Sequence, residues 1–276
     1  MSRILYIIGN GFDLAHNLPT QYCNFKDFVR NNNGELYEFL NTIPNIGTDW
    51  NNFEDALANI RFENFQELPS YSGDRESDDI LDEYTHALQQ LFEDWINTIS
   101  IVCKEIFSIE KEKSYFLTFN YTETLEKAYG ISEAQVYHIH NKRAQNQGVY
   151  SQYIFGHSAP DNFINQIPNR NYSGESSSFY EGVRRLNKHC DLQISSLEFQ
   201  KLIDIYKHSS KVIVICHGLG TADKAYFQEL YKNNTTIKWY YYGHNTVKKY
   251  EEYRKRIIDF NIPMEIIDCS ELTQKE

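Results

Sequence analysis

The chain has 276 residues with 27 basic and 38 acidic side chains, a formal net charge of −11, so it can bury a sizeable core but is too acidic for generic attraction to nucleic-acid phosphates. Hydrophobic residues make up 41% of it, which fits a folded domain and argues against disorder. No apolar run nears the roughly 20 residues of a membrane span, and the five scattered cysteines form no Cys-x-x-Cys pair, which excludes a disulfide framework and a zinc ribbon.

The stretch Met1 to Gly9 is apolar but runs straight into a glycine turn, so it does not read as a cleavable signal, and the expected compartment is the cytoplasm. Ile4 to Ile8 reads as a strand, Gly9-Asn10-Gly11 as a tight turn and Asp13 to His16 as the start of a helix. From about 17 to 113 the chain is mainly helical by spacing, with apolar and aromatic positions recurring over Asn51 to Phe62 and Ile80 to Phe107. Ser114 to Phe119 is a second strand, followed by a helix from Thr122 through Ala128 with Thr122 as its candidate N-cap. Val136 to His140 and Tyr150 to Phe155 read as further strands. A second insert, about 161 to 210, opens with an Asn/Pro/Ser-rich stretch, and its Tyr172 to Ser178 piece reads as a mobile loop. Lys211 to Ile215 is the most apolar strand, followed by a glycine-containing turn and a helix from about Ala222 to Tyr231. Ile237 to Tyr242 is another strand, with a charged helix from Thr246 to about Ile258 behind it. Apolar strands alternating with helices predict an α/β fold, a doubly wound parallel sheet flanked by helices, and such sheets bind ligands beyond the carboxyl ends of their strands.

Four constellations fall at those ends. Gly9-Asn10-Gly11-Phe12-Asp13 permits close approach of a pyrophosphate to helix-start amides, although Leu14 stands where a dinucleotide fingerprint has its third glycine. A tight turn with Asp13 capping the helix explains the same residues equally well. Thr118, Asn120 and Tyr121 offer donors and acceptors to sugar hydroxyls or a water, and capping is the competing role for Thr122. His138-Ile139-His140 places both histidines on one strand face by alternation, with no third metal ligand nearby. A structural pair of histidines is the plainer reading. Cys216-His217-Gly218-Leu219-Gly220 presents another turn to the same edge, and Asp223 caps a helix or binds a ligand hydroxyl. The basic residues Lys248, Lys249 and Arg254 to Arg256 are interleaved with Glu251 and Glu252 and read as a solvated helix face.

Gly-Asn-Gly-Phe-Asp-Leu-Ala-His at 9–16, Leu-Pro-Thr-x-Tyr-x-x-Phe at 18–25, Trp50 with Phe53 and Glu54, Phe119 to Thr122, His138 to His140, Phe155-Gly156-His157, and Cys216 to Asp223 with Tyr226-Phe227 together resemble the AbiH-type phage abortive-infection family. Asn141 stands where that family has glycine, and Cys216 and Gly218 stand where it has glycine and serine. More distantly, the order Gly-x-Gly, then Asn after a strand, then Ile-His is similar to sirtuin-like domains. That resemblance implies one Rossmann-like, sirtuin-like domain over 1–276 that binds NAD, and an antiviral enzyme that hydrolyses it. It places Asn120 and His140 at the catalytic positions, with Gly9, Asn10, Gly11, Phe12, Asp13, Thr118, Tyr121, His157, His217, Gly218, Gly220 and Asp223 as the cofactor-binding set. No metal is expected, and the absent cysteine pairs disfavour deacetylation. The competing functions are a non-catalytic sensor of NAD or ADP-ribose working through a partner and, behind it, a metal-dependent nuclease. The expected partner is a nucleotide ligand, with a homo-oligomer or a phage-derived trigger left open and neither membrane nor generic nucleic acid expected.

Overall fold

Short runs of Ile, Leu, Val and Tyr pair side by side as β1 (Arg3–Ile8), β2 (Ser114–Thr118), β3 (Val136–His138), β4 (Ser209–Ile215), β5 (Lys238–Gly243) and β6 (Met264–Asp268). All neighbours are parallel, in the order β3-β2-β1-β4-β5-β6. This is the doubly wound Rossmann-like order, and its direction reverses between β1 and β4, where such sheets open a ligand crevice. The registers align His138, Thr118, Ile8, Ile215, Tyr242 and Ile267 in one row near the carboxyl ends.

The structure is a computed structural model that describes residues 3–61, 64, 77–142, 153–159, 182–243 and 247–273. The chain forms two compact units, one of Met1–Thr20, Ile99–Ala144 and His189–Glu276, the other of Gln21–Thr98 and Gln145–Lys188.

The sheet belongs to the first unit, and both of its faces are covered, which is why its strands read as unbroken apolar runs. Leu5, Ile7, Val212 and Val214 face one way, into a core shared with Cys190 of α7 (Cys190–Ile194), Phe199, Leu202 and Ile203 of α8 (Leu197–Lys207), Phe227 and Leu230 of α9 (Lys224–Asn233), and Phe260 of α10 (Val247–Phe260). Tyr6, Ile8, Ile213 and Ile215 face the other way, onto Phe12 of α1 (Gly11–Ala15) and Leu125 and Tyr129 of α6 (Thr124–Tyr129). Burying each such side chain contributes about 1.5–3 kcal/mol.

Several expectations need correcting. The helix after β2 starts at Thr124, with Glu123 at its N-cap position, so Thr122 does not cap it; its hydroxyl serves a buried carboxylate instead. β3 stops at His138, because the Asn141 amide turns back to the His138 carbonyl at 3.2 Å. Strand alternation therefore does not carry His138 and His140 to one face. Residues Tyr153 to Phe155 form no strand, and 150–152 lie outside the described residues, as does the Tyr172 to Ser178 stretch. β6 was not legible in the sequence. The described cysteines carry no disulfide; Cys190, Cys216 and Cys269 are buried, and Cys23 and Cys103 are half-buried.

The second unit is built from α2 (Tyr22–Asn32), α3 (Gly34–Thr42), α4 (Phe53–Ala56) and α5 (Ser77–Thr98). Of the Asn51 to Phe62 stretch, whose spacing is helical, the described residues 51–61 form α4 and a 3₁₀ turn at Leu57–Asn59. An aromatic core holds this unit: Phe25 meets Trp50 edge-on at 6.0 Å, Trp50 stacks on Phe53 at 5.4 Å, and Phe92 stacks on Phe155 at 4.3 Å. Gly156 sits at φ 131°, and a Cβ there would lie 1.9 Å from the Leu186 carbonyl oxygen, so only glycine fits. Glu54 reaches the Lys188 ammonium at 3.0 Å, and the Lys188 side chain is wholly buried. No helix among the described residues is long and apolar enough to cross a membrane.

Candidate functional site

The β1 turn is glycine-rich because another backbone lies against it. A Cβ on Gly9 would sit 2.3 Å from the His217 Cα and 2.9 Å from the Cys216 carbonyl oxygen, and one on Gly11 would sit 2.8 Å from that same oxygen. The Gly9 amide donates to the Ile215 carbonyl, that of Gly11 to Cys216, and that of Phe12 to Gly9. The amides expected to cradle a pyrophosphate are thus engaged with β4 and with the turn itself. At the same junction Cys216 adopts φ 52°, the left-handed conformation that glycine takes without penalty and that costs another residue roughly 1–2 kcal/mol. Asn10 is exposed, its side-chain amide donating to the Thr20 carbonyl at 2.8 Å. Phe12 is fully buried against Phe107 and Tyr129, a core residue with no surface for a ligand.

Asp13 is 1% exposed and gathers the β2 end around itself. Its Oδ2 accepts from the Thr122 hydroxyl at 2.5 Å and its Oδ1 from the Thr124 hydroxyl at 2.7 Å, and the Asn120 side chain also donates to it. A carboxylate only accepts, so the Asn120 amide nitrogen faces Asp13 and its Oδ1 faces away. That Oδ1 is buried and has no hydrogen-bond partner among the described residues. The Asn120 backbone amide donates to the Thr118 hydroxyl, which fixes the loop that carries it.

Burial pushes the Asp13 carboxyl above the ordinary aspartate range, against the lowering effect of the Thr122, Thr124 and Asn120 hydrogen bonds and of His16. Because the folded protein holds this proton more tightly than the unfolded chain, the associated stability is fully present below the unfolded value of 3.8 and is lost as pH rises through the raised folded value. Wild type should therefore gain stability relative to Asp13→Asn as pH falls from about 7 toward 4. Urea unfolding of both proteins across that range measures it; a pH-independent difference would contradict the assignment.

Beyond β3 the two histidines part company. His138 faces the Asn120 carbonyl through Nδ1 at 3.2 Å and Glu126 Oε1 through Nε2 at 2.9 Å. Burial alone would raise the Glu126 carboxyl, but His138 and the Lys142 ammonium hold it below the usual glutamate range. His140, 2% exposed, turns its Nε2 toward Asp223 Oδ1 at 3.6 Å. Tyr121 stacks over it at 5.7 Å, and Phe119 meets its edge at 5.4 Å.

From β4, His217 turns its Nε2 toward the second oxygen of the same carboxylate at 3.5 Å, while its Nδ1 accepts from the Leu219 amide at 2.9 Å. Phe119 abuts this ring too, at 4.5 Å. The His217 carbonyl accepts from the Tyr241 hydroxyl at 2.5 Å, and the Gly218 carbonyl accepts from Arg256. Gly218 and Gly220 are exposed.

The carboxyl edge of the sheet thus gathers the expected residues from the ends of β1, β2, β3 and β4. His157 belongs to the second unit, where its Nε2 faces the Val183 carbonyl at 3.0 Å and its Nδ1 accepts from the Ala159 amide at 3.2 Å. Sequence reasoning missed Thr124 and Glu126 as partners, and missed the sharing of Asp223 by two histidines. Among the described residues no group of His, Cys, Asp and Glu is arranged to hold a metal ion. A family model described as bacteriophage abortive infection AbiH matches residues 5–242. A search among curated proteins finds no match.

Proposed function

Because the chain belongs to the AbiH family of bacteriophage abortive-infection proteins, we propose that its sheet edge binds NAD and hydrolyses the bond between nicotinamide and ribose. The observation that carries this reading is the buried Oδ1 of Asn120, unpartnered among the described residues, on the segment that follows β2, with His140 on the segment that follows the adjacent β3 at the same carboxyl edge. A buried acceptor without a donor is costly unless a ligand supplies one, and a ribose hydroxyl or the attacking water has the donor it lacks. The resemblance to sirtuin-like domains supports NAD as the ligand.

In the reaction the C1′–N bond breaks and its electron pair neutralises the cationic ring, so the leaving group needs no general acid. Water adds to the oxocarbenium-like carbon, by analogy with glycoside hydrolysis. Asn120 orients the ribose or that water, and His140 accepts the proton released as the new C–O bond forms. Tyr121, half-buried over His140, offers a ring face to the substrate. The engaged Gly9 and Gly11 amides receive no part in holding the pyrophosphate.

Purified protein incubated with NAD should release nicotinamide, and Asn120→Ala or His140→Ala should lower that rate by about 100-fold while circular dichroism stays unchanged. Chromatography of the products decides the matter. Thermal stabilisation by NAD without any product would favour the non-catalytic sensor, since a ligand that binds only the folded state raises its melting temperature. Full activity in both folded variants would remove the residues from the mechanism.

A further inference from the structure

We infer that the amino edge of the sheet, at the opposite end of β1 and β2 from Asn120, carries a second binding site, in which Arg3, Lys113 and the Ser114 hydroxyl hold the phosphate of a small phosphate ester with a hydroxyl-bearing body. The site does not depend on the hydrolytic reading above. Doubly wound sheets bind ligands beyond their carboxyl ends, so the fold alone assigns nothing to this edge.

A cavity of about 710 Å³ lies there, walled by the starts of β1 and β2, by the 3₁₀ turn Glu133–Gln135 and by His208, the residue that ends α8. That is the size of a small-molecule site, roughly 300–1,000 Å³. Its two permanent cations are unspent: neither Arg3 nor Lys113 has a carboxylate within ion-pair distance among the described residues. The Arg3 guanidinium lies over the Tyr115 ring, 5.9 Å from its centroid. Such a contact uses the flat face of the guanidinium and leaves the N–H donors at its rim for an anion. The backbone beneath is irregular in a way that re-aims side chains: Arg3 pairs with Ser209 and Ile4 with Lys211, so Ser210 bulges from β4, and its hydroxyl donates to the Arg3 carbonyl at 3.0 Å.

Ser114 supplies the independent observation. It lines the cavity beside Lys113, is 1% exposed, and its hydroxyl is buried with no hydrogen-bond partner among the described residues. A buried hydroxyl left unpaired is costly, and an anionic oxygen is the acceptor it lacks. Gln135 fixes the wall around it, donating both amide hydrogens, to the Lys111 carbonyl at 2.8 Å and the Ser114 carbonyl at 2.9 Å. Its Oε1 is thereby left as an acceptor, as is the exposed Glu112 carboxylate. His208 turns Nδ1 to the Asp204 carbonyl at 2.7 Å, which leaves Nε2 for a ligand. Two cations match the one and a half to two negative charges of a phosphate monoester near neutral pH better than the single charge of a carboxylate. The acceptors Glu112 and Gln135 suit hydroxyls on the rest of the molecule.

The test is isothermal titration calorimetry of the full chain with glucose 6-phosphate, and with glucose, gluconate and inorganic phosphate as comparisons. Glucose 6-phosphate should bind saturably and more tightly than the other three. Arg3→Gln and Lys113→Gln should each weaken it about 10–100-fold, as loss of a charged contact does, and Ser114→Ala about 3–10-fold. Lys201→Gln, which removes an exposed cation elsewhere on the same unit, should change it less than twofold. Arg3 and Lys113 are exposed, so their variants should keep the wild-type circular dichroism and carry the test even if Ser114→Ala does not fold. No saturable binding, or binding that survives both Arg3→Gln and Lys113→Gln, overturns the inference. Gluconate or inorganic phosphate binding as tightly as the ester overturns the ligand class.

Discussion

Gly9→Ala is expected to destabilise the protein by about 3 kcal/mol or more, the upper end of what overpacking does. The atoms that its methyl would strike, 2.3 Å from the His217 Cα and 2.9 Å from the Cys216 carbonyl oxygen, are main chain, and they cannot swing aside as the tip of a side chain can. Relief would require β1 and β4 to separate where Gly9 and Gly11 donate to Ile215 and Cys216. The controls lie in the same protein. A Cβ on Gly220 or Gly34 meets nothing within 4 Å, so Gly220→Ala should be nearly silent and Gly34→Ala, at the start of α3, should stabilise by a few tenths to about 1 kcal/mol. Urea unfolding of the three variants side by side measures this. A Gly9→Ala protein as stable as Gly220→Ala would mean that the two turns are not in contact.

Glu54→Ala should be of similar size, about 3–5 kcal/mol, because it removes the carboxylate from a buried ion pair. The Lys188 side chain has 0% exposure and its ammonium lies 3.0 Å from Glu54 Oε2, so the second unit would keep the penalty of burying the cation and lose this attraction. Replacing both partners with apolar residues, Glu54→Leu with Lys188→Met, should recover most of the loss, since a well-packed apolar pair often equals the ion pair it replaces. Thermal unfolding of the single and double variants checks this. A double variant no better than the single one would show that the pair anchors more than itself.

These two positions mark how far a sequence can be read. β1, β2 and β4 are legible because a strand covered on both faces is an uninterrupted apolar run. β6 is not, because Met264–Asp268 is a partly exposed edge strand that carries Glu265 on its outside and has no periodicity to betray it. Thr122 reads as a cap from its local spacing, but a buried Asp13 more than a hundred residues away needs its hydroxyl, and local propensity yields to that demand. The glycines illustrate the same boundary. Gly9 and Gly11 announce that something approaches the backbone closely, and only the fold says that it is β4. Asn120, His140, His217 and Asp223 could each be picked out singly as polar residues at strand ends, whereas the sharing of one carboxylate by two rings arises from the strand order and leaves no trace in residue spacing.

That strand order also governs timing. β1 leaves the ribosome before either of its neighbours, yet Ile8 pairs with Thr118 on one side and Ile215 on the other. At translation rates of about 5–20 residues per second, the wait for the second neighbour is on the order of tens of seconds. During that interval the apolar segment Leu5 to Ile8 has no sheet to join, and a nascent chain is exposed to mispairing or capture by chaperones. The long wait has another side: the Gly9 junction cannot exist until residue 217 has emerged, nor the His140–Asp223–His217 arrangement until residue 223 has. Whatever chemistry the edge performs is thereby withheld from every shorter nascent chain.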